Sequence, residues 1–249
     1  MGVKESGEAR VSFKYFDIAM AAFVVILVLS NIASSAKFVD LGVSLFGLIP
    51  LYFDGGTLLF PFAYVLGDVL TEVYGFKASR KAIWTGFAIL AFSALFFFVL
   101  RILPSYSGWE AWAGYPYGTW TGSDSFNAMF GGMIGLVLAS LVGYLVGGFS
   151  NSILISRIKV LMKGRMFWTR ALASTLVGQL LDSLVFVTIA TLLGVFRWES
   201  FLSLALTNYI LKCVIETAAL PGTAAFVRFL KKREGVDVFD VGVKYRPFG

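Results

Sequence analysis

The chain has 249 residues, 58% of them hydrophobic and 14% charged, with a net charge of +6. Soluble domains carry about 25% charged residues, so this composition and a mean hydropathy of +0.80 point to a membrane-embedded helical bundle, for which 26 glycines are in keeping. A single cysteine excludes an internal disulfide and a Cys-rich metal site. The lack of histidine excludes the Ser-His-Asp triad and the imidazole proton shuttle, and no Walker or Rossmann glycine pattern occurs, so no cofactor is expected.

Residues 1–16 form a polar segment of mixed charge. No small-residue cleavage site follows the next apolar run, which therefore reads as a retained helix and not as a signal peptide. The Met-Gly start with Ser6 meets the acylation pattern only weakly, as chance alone allows. A hydrocarbon core needs about 20 helical residues, and six stretches fit: 17–36, 57–76, 81–103, 126–149, 171–195 and 201–230. They make one transmembrane domain over 17–230. Stretch 38–55 is apolar but broken by Asp40, Gly42, Gly47, Pro50 and Asp54, and reads as an interfacial or re-entrant connection. Loop 104–125 carries Trp109, Trp112, Tyr115, Tyr117 and Trp120, which suit a membrane–water boundary and need no ligand. Residues 231–249 form a polar tail.

Of the 21 Lys and Arg residues, 17 fall in the N-terminal segment, the second and fourth connections and the tail. Only Lys37, Arg101 and Arg197 fall on the other side, and Lys212 lies inside a span. This bias predicts that both termini are cytoplasmic. The expected fold is therefore an all-α polytopic membrane protein with six transmembrane helices, a number that admits two inverted three-helix repeats. Topology accounts for the basic charge without a nucleic-acid partner.

Five ionisable residues fall within the spans: Asp68, Glu72, Asp182, Lys212 and Glu216. A charge near the bilayer centre costs about 2.5–3.5 kcal/mol on insertion scales, so these groups are expected to face one another or a wet cavity. Tyr64, Asp68 and Glu72 recur every four residues and share a helix face. Thr175, Gln179, Asp182, Ser183 and Phe186 form a second polar stripe, and Asn208, Lys212 and Glu216 a third. Asn31, with Ser30, Ser34 and Ser35, adds a fourth from the first helix. Lys212 and Glu216, at i and i+4, can neutralise each other. The acids still outnumber the lysine, so a proton, a cation or a donor-rich ligand must complete the balance. In the fourth span Gly131, Gly135, Ala139, Gly143 and Gly147 recur every four residues. Such a stripe seats a close neighbour, either a helix of the same chain or a second subunit in a homodimer.

A series of residues across these spans resembles the queuosine precursor transporters, formerly called vitamin uptake transporter-like proteins. It runs from Ser30-Asn31 through Phe60-Pro61, Tyr64, Asp68, Thr71-Glu72 and Tyr74-Gly75. It continues with Trp168-Thr169-Arg170, Ser174-Thr175, Gly178-Gln179, Asp182-Ser183 and Phe186, and ends with Tyr209, Lys212 and Pro221. The chain departs from the family pattern at Gly148 and Asn151, where Gln and Asp are frequent. The resemblance implies import of 7-deazaguanine bases across the inner membrane, such as 7-cyano-7-deazaguanine, 7-aminomethyl-7-deazaguanine or queuine, in a non-enzymatic process that proton or cation coupling could drive.

A carboxylate can accept two donors from such a base, an amide or ammonium can donate to its carbonyl, and aromatic rings can stack on it. Asn31, Tyr64, Asp68, Glu72, Gln179, Asp182, Phe186, Lys212 and Glu216 are the expected substrate-binding residues. Two other readings stand beside this one. The first is the substrate-binding subunit of an energy-coupling-factor vitamin importer, although the first helix lacks a sustained small-residue repeat. The second is an intramembrane acid-dependent enzyme, although GDVL and LDSL lack the flanking glycine motifs expected there.

Overall fold

A computed structural model describes residues 13–113 and 118–246. Lys4, Arg10, the acylation pattern, Tyr115 and Tyr117 lie outside them. The helices are α1 (Phe16–Ala36), α2 (Phe60–Tyr74), α3 (Phe76–Ile102), α4 (Ser107–Ala113), α5 (Gly122–Phe130), α6 (Met133–Leu161), α7 (Phe167–Leu192) and α8 (Phe201–Glu234). Five segments among the described residues are long and apolar enough to cross a membrane: α1, α3, α5–α6, α7 and α8 with its preceding turn. The chain is a polytopic, predominantly helical membrane protein.

Helix α2 is the exception to the expected spans. Its 15 residues cover about 22 Å at 1.5 Å per residue, less than the roughly 30 Å hydrocarbon core. Pro61 opens it, where a missing N–H costs nothing. Gly75 closes it with φ 83° and at once begins α3. A Cβ at Gly75 would meet Val238 Cγ1 at 2.7 Å and Asp240 Oδ1 at 2.9 Å, so the tail packs on bare backbone there. Asp240 Oδ2 accepts from Phe76 N at 2.8 Å and caps α3.

The connection expected to be interfacial or re-entrant is an antiparallel hairpin, β1 (Phe38–Leu45) and β2 (Ile49–Asp54). Phe38 pairs with Asp54 and Leu45 with Ile49, with an irregularity between Asp40 and Ser44. The same glycines and prolines that break a helix permit this turn, where Gly47 adopts φ 70°. Phe46 and Leu48 at its tip are exposed, and Ser203 Oγ donates to Pro50 O, tying β2 to α8. The hairpin is a local addition to an otherwise helical, polytopic fold.

Burial follows the membrane pattern. Phe92, Leu95, Phe96 and Ile102 of α3 and Leu180 and Leu184 of α7 face outward, while Ser, Thr, Asn, Asp and Glu side chains lie inside. The largest buried apolar cluster joins α1, α2, α3 and α6 through Phe23, Leu27, Tyr64, Leu70, Leu90 and Tyr144. The small-residue stripe of α6 lies against α7 of the same chain. A Cβ on Gly143 would meet Asp182 O at 3.1 Å, and one on Gly147 would meet Asp182 Cβ at 2.6 Å. Bare backbone here lets the polar stripe of α7 approach α2.

Candidate functional site

The buried polar groups sort into three layers. At one end, Asp54 closes the hairpin. It accepts from Ser34 Oγ of α1, from Gly56 N at 3.1 Å and from Asn208 Nδ2 of α8 at 3.2 Å. Thr57 Oγ1 stands 3.0 Å from Asp54 and 2.9 Å from Asn208 Oδ1. Among the described residues Asp54 has no cation partner. The sequence reading treated Asp54 only as a helix breaker. An acid followed by Gly-Gly-Thr, a turn-capping pattern, was the available signal.

The middle layer holds most of the expected site. Lys212 Nζ of α8 pairs with Asp182 Oδ2 of α7 at 2.8 Å, both buried. Lys212 and Glu216 share a helix face and could neutralise each other by spacing, but the facing helix offers Lys212 a carboxylate at hydrogen-bond distance. Glu216 instead accepts from Thr175 Oγ1 and Gln179 Nε2, each at 2.6 Å. Asp68 accepts from Asn151 Nδ2 of α6 at 2.5 Å. Lys212 Nζ also lies 4.6 Å from the centre of the Phe60 ring and 5.8 Å from that of Phe186, within cation–π range.

A narrow cavity beside Asp182 and Lys212 is also lined by Ser34, Asp54, Thr57, Phe60, Ser140 and Phe186. Three of the nine expected residues thus line it: Asp182, Phe186 and Lys212. Asn31 is buried off it and donates to Leu27 O at 2.9 Å. Tyr64, Asp68, Gln179 and Glu216 are buried neighbours that do not form its wall. About 10 Å³ is left for water-sized spheres, room for one water.

Several buried atoms of this layer have no hydrogen-bond partner among the described residues. Four are carbonyl or carboxylate oxygens: Asn31 Oδ1, Asn151 Oδ1, Gln179 Oε1 and Asp182 Oδ1. Three are hydroxyls: Tyr64, Ser183 and Thr207. Buried polar groups are ordinarily satisfied, and of these atoms Asp182 Oδ1 belongs to a residue on the cavity wall, where it can accept from a ligand N–H.

Glu72 belongs to a third layer, away from the cavity. Arg170 of α7 grips it in a fork, Nη2 to Oε1 at 2.7 Å and Nε to Oε2 at 3.0 Å. Lys231 Nζ of α8 lies 2.5 Å from Oε1, and Lys159 Nζ of α6 donates to the Glu72 carbonyl at 2.7 Å. Asp237 of the tail binds both lysines, at 2.6 and 2.8 Å. Burial pushes the Asp237 carboxyl up, but the hydrogen bonds from Lys159 and Lys231 outweigh it and hold it below the usual carboxylate range. By sequence Lys159 and Arg170 belong to the basic fourth connection. Both lie inside helices and are buried, because α6 runs on to Leu161 and α7 begins at Phe167.

Residues 54–226 match the family described as "Putative vitamin uptake transporter". A relative in Bacillus subtilis (strain 168), named "Probable queuosine precursor transporter", is 26% identical over 194 residues, covering 77% of this chain and 78% of that protein. In Escherichia coli (strain K12), the "Queuosine precursor transporter" is 26% identical over 205 residues, covering 81% of this chain and 84% of its own length. A "Probable queuosine precursor transporter" of Haemophilus influenzae (strain ATCC 51907 / DSM 11121 / KW20 / Rd) is 26% identical over 163 residues, 64% of this chain and 62% of that protein. No solved structure matches the chain.

Proposed function

The chain belongs to the vitamin uptake transporter family that matches it over residues 54–226, and from this premise we propose that it imports queuosine precursors, as 7-deazaguanine bases, across the cytoplasmic membrane. The observation that carries the substrate class is the Asp182–Lys212 pair between two aromatic faces, with Asp182 Oδ1 left without a donor among the described residues. A guanine-like edge presents N–H groups beside a carbonyl. Asp182 Oδ1 accepts from the N–H groups, Lys212 donates to the carbonyl, and Phe60 or Phe186 covers the ring. The carboxylate replaces the water that a flat polar base loses on leaving solution.

In this reading α2 and the preceding turn complete a sixth span beside the five long helices, and both termini are cytoplasmic. The 17-to-three distribution of basic residues supports that orientation. A two-ring base exceeds the space beside Asp182, so transport requires the helices to part. Asp54, which ties the hairpin to α1 and α8, lies where the outer side would open. The arginine fork on Glu72 and the tail would close the cytoplasmic side.

The test is uptake of radiolabelled deazaguanines by cells that lack their own importer and their own synthesis. Expression of the chain is expected to restore uptake and tRNA queuosine. Failure with every deazaguanine, by a protein that reaches the membrane, would refute the reading. Reporter fusions at the tail and in the 104–125 loop should give opposite signals.

A further inference from the structure

The membrane interior holds more acid than its lysine can balance. Glu72 has Arg170, Lys159 and Lys231 at the cytoplasmic end, and Asp182 has Lys212. Asp68 and Glu216 have no ion pair among the described residues, and their partners are the neutral groups of Asn151, Thr175 and Gln179. Both are buried to 1%. An unpaired carboxylate held in hydrocarbon is costly, and such groups mark proton or ion paths.

We propose that Asp68 and Glu216 form a proton site, separate from the Asp182–Lys212 pair, through which the proton gradient drives import. The inference rests on the transport reading above. Its second support is the unpartnered atoms beside the two acids. Asn151 donates its Nδ2 to Asp68 and leaves its own Oδ1 unbonded. Gln179 does the same for Glu216 and leaves Oε1 unbonded. An amide and a carboxylic acid can make two opposed hydrogen bonds, amide N–H to acid oxygen and acid O–H to amide oxygen. Here the amide N–H half of each pair is in place, and a proton on the carboxyl would supply the other half.

A metal ion fits poorly. Both oxygens of Glu216 already face donors at 2.6 Å, and no group of three or more His, Cys, Asp or Glu among the described residues is placed to hold a metal. The Tyr64 hydroxyl has no partner at full hydrogen-bond geometry among the described residues, and Asp182 is its nearest polar neighbour across α6 and α7. A Cβ at Gly147 would meet it at 2.4 Å and Asp182 Cβ at 2.6 Å, while one at Gly178 would meet Asn151 Cβ at 2.9 Å and the Tyr64 ring at 3.4 Å. Tyr64 therefore joins the proton site to the substrate pair.

The other ionisable groups around the two acids are Glu72 and Tyr64 on α2, Tyr144 on α6, Asp182 on α7, and Lys212 and Cys213 on α8. Helices α1 and α3 carry their charged residues at their ends. Glu216 is the strongest charged neighbour of Asp68. When both are ionised, α2 and α8 repel each other. When a proton from the outer water adds to one carboxylate, the helices can close around the base, and the proton leaves to the cytoplasmic water as the base is released. One proton enters with each base, and nothing is oxidised or reduced.

The experiment uses the purified full chain in proteoliposomes holding a pH-sensitive dye, with 7-cyano-7-deazaguanine and 7-aminomethyl-7-deazaguanine as probes. With the membrane potential held at zero by potassium and valinomycin, a pH difference of one unit, acid outside, should concentrate the base about tenfold in the lumen, and adding base outside should acidify the lumen. Glu216→Gln and Asp68→Asn should lose the lumen acidification that added base causes with the parent, and should accumulate base only to about equal concentrations. Base transport by the parent without proton movement, or only under a sodium gradient, would overturn the inference and leave the transport reading standing. So would variants that still concentrate the base tenfold. A parent that binds and moves no deazaguanine would sink the transport reading, and the proton site with it. The dye signal of the parent decides the matter even where a variant fails to fold.

Discussion

Replacing Asp182 with Asn exchanges one oxygen for an NH₂ at nearly constant volume and removes the charge that holds Lys212 at 2.8 Å. Two effects follow, and they separate. In the substrate complex Asp182 supplies a charge-assisted hydrogen bond worth about 1.5–3 kcal/mol. At about 1.4 kcal/mol per factor of ten, its loss should weaken binding ten- to a hundredfold. The new NH₂ also faces the base's own donors. In the empty protein, removing one partner of a buried pair costs about 3–5 kcal/mol where the other charge is left uncompensated. That cost should be smaller here, because Glu216 stands one helical turn from Lys212 and can take up the charge. Isothermal titration of the purified variant with a deazaguanine reads the first effect, and thermal unfolding in detergent reads the second. Asp182→Asn with near-parent stability and affinity within twofold of the parent would refute the assignment of this carboxylate to the base.

Three further outcomes follow from the packing. Gly147→Ala places a Cβ 2.4 Å from the Tyr64 hydroxyl and 2.7 Å from Gly178 O, so overpacking should lower stability by about 1–3 kcal/mol and reduce uptake; an unchanged unfolding temperature would contradict the close approach of α6 and α7. Arg170→Lys cannot reproduce the two-bond fork on Glu72, so it should lower thermal stability while leaving base affinity at the parent value. Because the folded Asp237 carboxyl lies below its usual range, its contribution is present above the ordinary carboxylate value and is lost as pH falls through the folded value. The protection of tail amides, taken relative to the intrinsic exchange rate at each pH, should therefore fall below about pH 4, and Asp237→Asn should lower it at neutral pH.

The membrane class and most helix positions were legible because lipid imposes long apolar runs, and the intramembrane acids stood out against them. The i, i+4 stripe Tyr64, Asp68, Glu72 does place one face of α2 inward. It could not show that its ends serve different layers, because that depends on the arginine and lysines that α6, α7 and α8 bring to Glu72 alone. The spacing of Lys212 and Glu216 left two readings open for a related reason: it says nothing of a closer acid on the helix opposite. Asp54 was hidden in a stretch too short to span, where a hairpin brings it back against Ser34 and Asn208. Gly131 to Gly147 read as a packing stripe with two candidate neighbours, and the facing backbone of α7 supplies the one within the chain.

The most direct measurement is flux through the chain alone. Proteoliposomes containing only the purified protein, with no ATP and no ATPase subunit, are offered radiolabelled 7-cyano-7-deazaguanine or 7-aminomethyl-7-deazaguanine. The account predicts saturable uptake of at least one of these bases that unlabelled base competes away and that Asp182→Asn weakens. Absence of uptake for both bases in a folded, reconstituted protein, or uptake only when separate ATPase subunits are supplied, would contradict it.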